Sequence, residues 1–129
     1  MTPIRQRLSR ILLDHNLALD LRGLLPGHDV RHAIEMGWNQ IGNGELLTIA
    51  EAAGFEIVIT ADQNIRYQQN LSGRRLSLVV LSSNHWPTLR GSIGLIVETL
   101  GLVTSGSYHE VAVERPSRRR RPPPVPPES

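Results

Sequence analysis

The sequence predicts an α/β fold, a mostly parallel sheet with helices on both faces. Three observations carry this. The runs "ILLD" (11–14), "FEIVITA" (55–61) and "LSLVVLSS" (76–83) are short and almost continuously apolar, the composition expected of strands covered on both faces. Segments with apolar residues at helical spacing alternate with them, which is the order of βαβ units. The chain has 129 residues, 40% of them apolar, enough for one ordinary core and hence one domain.

The elements follow in order. After the first strand, Leu17, Ala18, Leu21, Leu24 and Leu25 recur at helical spacing until Pro26-Gly27 ends that helix. "HDVRHA" (28–33) reads as a second, weaker strand, followed by a loop, "IEMGWNQIGNG". From Glu45 a stripe of Leu46, Leu47, Ala50 and Ala53 predicts a helix, with Asn43 as its N-cap and Gly54 as its stop. "FEIVITA" is the third strand. A polar helix over about 63–72, "QNIRYQQNLS", closes at Gly73 before the fourth strand. Leu89, Ile93, Ile96, Val97 and Leu100 mark one amphipathic helix starting after Pro87, and "YHEVAVE" (108–114) alternates weakly, as an edge strand does.

Composition removes several functions. There is no cysteine, which excludes disulfide frameworks, thiolate metal sites and cysteine nucleophiles. All fourteen basic residues are arginine, so a P-loop or a Schiff-base enzyme has no lysine to work with. The apolar runs are cut by Asp14, Asp62 and Glu98 well short of the roughly 20 residues that cross a bilayer, and Asp14 also shortens the N-terminal run below a signal peptide. A cytoplasmic protein without a membrane partner is the expectation.

Charge is unevenly spread. Arg115 and Arg118 to Arg121 supply five of the fourteen arginines, leaving nine against eleven acids over residues 1–114, a balance of about −2. The domain therefore runs from 1 to 114, and residues 115–129, "RPSRRRRPPPVPPES", form an arginine- and proline-rich tail expected to be extended or disordered. Such a tail suits nonspecific phosphate binding.

Two strands end in the same punctuation, Asp14-His15-Asn16 and Asp62-Gln63-Asn64. In open α/β sheets ligands bind beyond the carboxyl ends of the strands. If the first and third strands are neighbours, both carboxylates converge on one crevice. Like charges about 4–6 Å apart and partly desolvated repel by one to several kcal/mol, which a cation would relieve. Hard cations such as Mg²⁺ or Mn²⁺ take carboxylate oxygens, and Glu45, in the first turn of its helix, is available as a third. The competing explanation is local, because aspartate and asparagine after a strand are good turn and cap residues. Both causes are compatible: the acid serves a ligand while Asn16 or Asn64 starts or supports the next element.

Further candidates surround these. His15 and His85 stand near strand ends, suited to a metal or a proton, with a structural role as the alternative. In "RYQQN" (66–70), Arg66 could hold a phosphate and Tyr67 stack on a base, or both could belong to a solvated helix face. Arg74 and Arg75 mark a solvated corner or the extension of a phosphate track. Trp38 and Trp86 are expected as core anchors. The "GNG" at 42–44 lacks the third glycine of a dinucleotide fingerprint.

The segments "RILLDHNLALDLRGLLPGHDVRHAIEMGW", "NGELLTIAEAAGFEIVITADQNIRYQQNL" and "LVVLSSNHWPTL", together spanning about residues 10–114, resemble the bacterial PIN-like domain family, relatives of the PIN-domain ribonucleases. The resemblance implies a three-layer α/β/α fold and an acidic site holding one or two divalent ions that activate water against an RNA phosphodiester. In that family's pattern Asp14 matches the first acid, Glu45 the helix acid, Asp62 the acid after the "VIT" strand, and Thr60 the hydroxyl residue before it. A fourth aspartate common in PIN nucleases is missing: the region reads Ser82-Ser83-Asn84-His85, so Asn84 and His85 stand there as supporting or substrate-contacting residues.

The expected function is therefore a metal-dependent endoribonuclease. The toxin of a toxin–antitoxin pair is the role the resemblance suggests, with a small antitoxin protein as partner and a homodimer left open. The alternatives are a catalytically inactive PIN-like module that binds RNA or protein, and a small-molecule phosphatase using the same acids.

Overall fold

A computed structural model describes residues 9–63 and 74–113. The polar helix expected over 63–72 lies outside the described residues except for Gln63, as does the arginine-rich tail. Five strands form one sheet: β1 (Arg10–Leu13), β2 (Asp29–His32), β3 (Ile57–Thr60), β4 (Ser77–Leu81) and β5 (Tyr108–Val111). Their order is β2-β1-β3-β4-β5 and every pairing is parallel. The mixed α/β class read from the sequence is thus observed, and the sheet is wholly parallel.

The continuous apolar runs are explained by packing on both faces. Successive side chains of a strand point to opposite sides, so Ile11 and Leu13 of β1 enter one core with Ile57, Ile59, Val79 and Leu81, while Leu12 enters a second with Val58, Leu78 and Val80. Leu17, Leu21, Leu25, Leu89, Ile96 and Leu100 cover the first core; Leu46, Leu47 and Ala50 of α2 (Asn43–Ala52) cover the second. Trp38 and Trp86 pack against these cores as expected, Trp38 edge-on to Phe55 with ring centroids 6.1 Å apart.

Several elements differ from the sequence reading. The helix expected over 17–25 is a 3₁₀ helix over Leu19–Leu24. A turn closed by Leu17 N–H on Asp14 O at 3.1 Å occupies the residues before it, and Gly23 and Pro26 disfavour a longer α-helix. The loop expected from Ile34 instead begins inside one helical turn, α1 (Ala33–Met36). His32 and Glu35 form a reciprocal cap at its start and Gly37 ends it at φ 76°. The first residue of α2 is Asn43 itself, so the cap position falls on Gly42.

The single helix expected after Pro87 is two, α3 (Trp86–Gly91) and α4 (Ile93–Leu100), which meet at Ser92. Their buried faces still form one stripe, Leu89, Ile96 and Leu100, with Ile93 packed beside it.

The sheet edges are short. Both β2 and β5 have four residues; β2 carries Asp29 and Arg31, and β5 carries Glu110.

Candidate functional site

From β1 the chain crosses to β2 on one side and then returns to β3 on the other. This reversal opens a crevice at the carboxyl ends of β1 and β3, where ligands of doubly wound sheets bind. Asp14 N–H donates to Ile59 O at 2.9 Å, which extends the β1–β3 ladder by one residue and sets Asp14 beside Thr60. The condition that made the two Asp-x-Asn endings meaningful, adjacency of the first and third strands, is met.

Asp14 is 2% exposed. Such a carboxylate needs partners, and it has three donors: Thr60 Oγ1 at 2.6 Å from Oδ2, and the His15 N–H and Nδ1 at 2.7 and 3.1 Å from Oδ1. Thr60, wholly buried, also accepts the Asp62 N–H on Oγ1 at 3.0 Å. One hydroxyl therefore joins the first acid to the backbone of the second. Asp62 is partly buried.

Asn16 fastens the neighbouring loops. Its Oδ1 accepts the Ala61 N–H at 3.4 Å, and its carbonyl oxygen accepts from Asn84 Nδ2 at 3.1 Å. Gln63 Nε2 donates to the carbonyls of Ala61 and Leu81, bridging the ends of β3 and β4. Three loops from three strands are thus tied at one edge. Asn16, Thr60 and Asn84 thus each hold a bond at this edge; Gln63 was not singled out in the sequence, where a glutamine after Asp62 carries no mark of a bond spanning 18 residues.

Glu45 occupies the first turn of α2 and is exposed. Because α2 leaves the carboxyl end of β2 and its last turn presents Ala53 O to Arg10 Nη1 at 2.8 Å, the helix runs back along the sheet and its N-terminus belongs to the same edge as Asp14. Among the described residues no bond links Glu45 to the Asp14–Thr60–Asp62 network. No group of three His, Asp or Glu residues there converges tightly enough to hold a metal ion. Asn64, Arg66 and Tyr67 lie outside the described residues.

Asp14 Oδ1 already accepts two hydrogens, whereas Oδ2 accepts one, so one lone pair of Oδ2 remains. A buried carboxylate with a free lone pair, next to a loop carrying a second carboxylate, fits Mg²⁺ or Mn²⁺ bound by one or two protein oxygens with water completing the shell. The residues fit that ion more readily than one needing a full protein cage.

Other polar side chains, among them the candidates His85, Arg74 and Arg75, have structural partners. His85 is exposed and shares a hydrogen bond between Nδ1 and Thr88 Oγ1 (2.9 Å) at the start of α3. His32, wholly buried, bonds Leu17 O through Nε2 at 2.7 Å and accepts the Ile34 N–H on Nδ1. Arg74 reaches Glu51 and Thr48, and the Arg75 N–H donates to Glu51, so this corner is bridged to α2 rather than merely solvated. The Arg75 N–H holds the Glu51 carboxyl below its ordinary range, burial opposes it, and Arg74 adds a hydrogen bond and charge in the same direction as Arg75.

No protein-family model, curated protein or solved structure matches the chain. No helix among the described residues is long and apolar enough to cross a membrane.

Proposed function

We propose that the protein is a PIN-like, metal-dependent endoribonuclease with its site at the carboxyl edge between β1 and β3. The observation that carries this reading is the buried Asp14 carboxylate joined through Thr60 Oγ1 to the backbone of Asp62 at the sheet's switch point. Asp14 Oδ2 and the Asp62 carboxylate would hold Mg²⁺ or Mn²⁺, with Glu45 completing the set or orienting water. When bound, such an ion supplies an activated water at neutral pH and offsets charge on the phosphate.

The chain's own contribution is positional. Thr60 fixes the Asp14 carboxylate and the start of the Asp62 loop together, while Asn16, Gln63 and Asn84 keep the three loops from separating. Loops held this way deliver groups to a substrate without reorganising them at the moment of reaction. The basic tail, with Arg66 and Tyr67, would add phosphate and base contacts, and a toxin role with a small antitoxin partner belongs to the same proposal.

The test is cleavage of RNA by wild type and Asp14→Asn, each with Mg²⁺ or Mn²⁺ and with EDTA. Cleavage that needs the metal and is lost in Asp14→Asn supports the reading. Identical traces from the two proteins would remove it.

A noncatalytic RNA- or protein-binding module is the second reading, and one observation favours it: no trio of acids or histidines converges among the described residues. RNA binding that survives EDTA and Asp62→Ala, with no cleavage, selects it.

A further inference from the structure

The helix α4 (Ile93–Leu100) has two unlike sides. Inward, Ile96 and Leu100, with Ile93 beside them, pack with Val79, Leu81 and Val111 of the sheet. Outward, Leu95, Val97 and Leu102 are 43%, 42% and 67% exposed, and none of them belongs to either core. The outer side of a helix lying on a sheet ordinarily carries charge. Over residues 91–102 the single charged residue is Glu98. Leu95, Glu98 and Leu102 are spaced by three and four residues, and the Leu102 N–H donates to Thr99 O at 2.9 Å, which continues the winding past the helix end. They therefore share one stripe. Apolar surface grouped in this way, rather than scattered singly, marks an interaction site.

Charge indicates the partner. Arg90, exposed near the end of α3 (Trp86–Gly91), stands before the stripe, and Glu98 stands within it. Among the described residues neither side chain has an ion-pair or hydrogen-bond partner. The face is thus positive at one end and negative further along. Laid antiparallel on a copy of itself, it brings each arginine toward the other copy's glutamate and the leucines together. Laid parallel, it opposes like charges.

We propose that the outer face of α4, with Arg90, is the contact of an antiparallel two-fold homodimer, in which Leu95 and Leu102 are covered and Arg90 of each copy pairs with Glu98 of the other. Such a contact uses the same patch on both copies and closes, so assembly stops at two. One short helix buries less than the roughly 1,200–2,000 Å² of a standard stable interface, and the dimer is expected to dissociate at about 10–100 μM. This pairing is independent of any reaction at the β1–β3 edge.

Sedimentation equilibrium of the full chain from about 2 to 500 μM, a span bracketing that range, measures the mass, 14.4 kDa for one chain. Wild type is expected to rise from that mass to twice it, with the midpoint moving to higher concentration as NaCl is raised from about 0.05 to 0.5 M. Leu102→Glu, at an exposed position outside both cores, is expected to keep the single-chain mass throughout. Arg90→Glu and Glu98→Arg, taken separately, are each expected to weaken association about tenfold, because each puts like charges face to face. Mixed in equal amounts the two variants regain the wild-type midpoint, since each supplies the charge the other lacks, and that recovery also shows both to be folded.

Single-chain mass for wild type at every concentration, as when a different protein takes this face, overturns the proposal. So does a dimer that Leu102→Glu leaves intact, or a mixture that associates no more tightly than the two variants alone.

Discussion

Thr60 Oγ1 donates to Asp14 Oδ2 at 2.6 Å across the pairing of β1 with β3, and this bond is buried at both ends. Replacing Thr60 by valine keeps the shape and removes the hydroxyl. One carboxylate oxygen and the Asp62 N–H lose a partner together. Thr60→Val is expected to lower the stability by about 1–3 kcal/mol, the usual cost of stranding a buried polar group. Thr60→Ser is expected to recover most of it. Urea denaturation of the three proteins measures the difference.

His28 gives the stability a pH dependence near neutrality. Burial holds its imidazole below the ordinary range, with the Glu56 carboxylate opposing, and the Ser9 N–H donates to its Nδ1 at 3.2 Å. The neutral ring is the form that fits the folded protein, so protons bind the unfolded chain more readily. The contribution is complete above the unfolded value of about 6.5 and is lost as pH falls through the lowered folded value. The urea midpoint is expected to drop between about pH 7.5 and pH 5.5, and to drop less in His28→Asn.

Glu51 acts in the same direction at lower pH. Its carboxyl is held below the ordinary range first by the Arg75 N–H and further by Arg74, against burial. The stability it brings is present above the unfolded value of about 4.3 and disappears as pH falls through the lowered one. Acid unfolding followed by circular dichroism is expected to be shallower in Glu51→Gln. The change at neutral pH is expected to be small, because an ion pair that water still reaches, as this half-buried one does, contributes little.

Much of this was legible in the sequence, for identifiable reasons. The runs holding Ile11–Leu13, Ile57–Ile59 and Leu78–Leu81 announce strands because both faces of each are buried, which demands apolar residues without alternation. Asp14 and Asp62 stood out because they interrupt such runs. The break at Ser92 was hidden because Leu89, Ile93, Ile96 and Leu100 keep their spacing across it, so the packing stripe outlasts the backbone helix. His32 and Gln63 were hidden for another reason. Their key partners, Leu17 O and Leu81 O, are backbone atoms 15 and 18 residues away, and a carbonyl leaves no trace in residue identity.

Two glycines are expected to respond oppositely to alanine. Gly106 has φ 73°, and a Cβ there would stand 2.7 Å from Arg74 O. Gly106→Ala is expected to cost more than about 1 kcal/mol, combining a left-handed backbone with a collision. Gly94, inside α4 with nothing within 4 Å of its would-be Cβ, is expected to gain about 0.5–1 kcal/mol as alanine. Thermal melts of both variants beside wild type measure the signs.

The brevity of β2 and β5 bears on how molecules of this chain meet one another. A long, flat, uncharged border strand is a template on which another molecule can add its own strand and propagate into fibrils. Here each border offers four residues, with Asp29 and Arg31 on one and Glu110 on the other. A neighbour docking along either flank would find few backbone groups to engage and charges to desolvate, so concentrated solutions of the folded protein should resist sheet-to-sheet polymerisation.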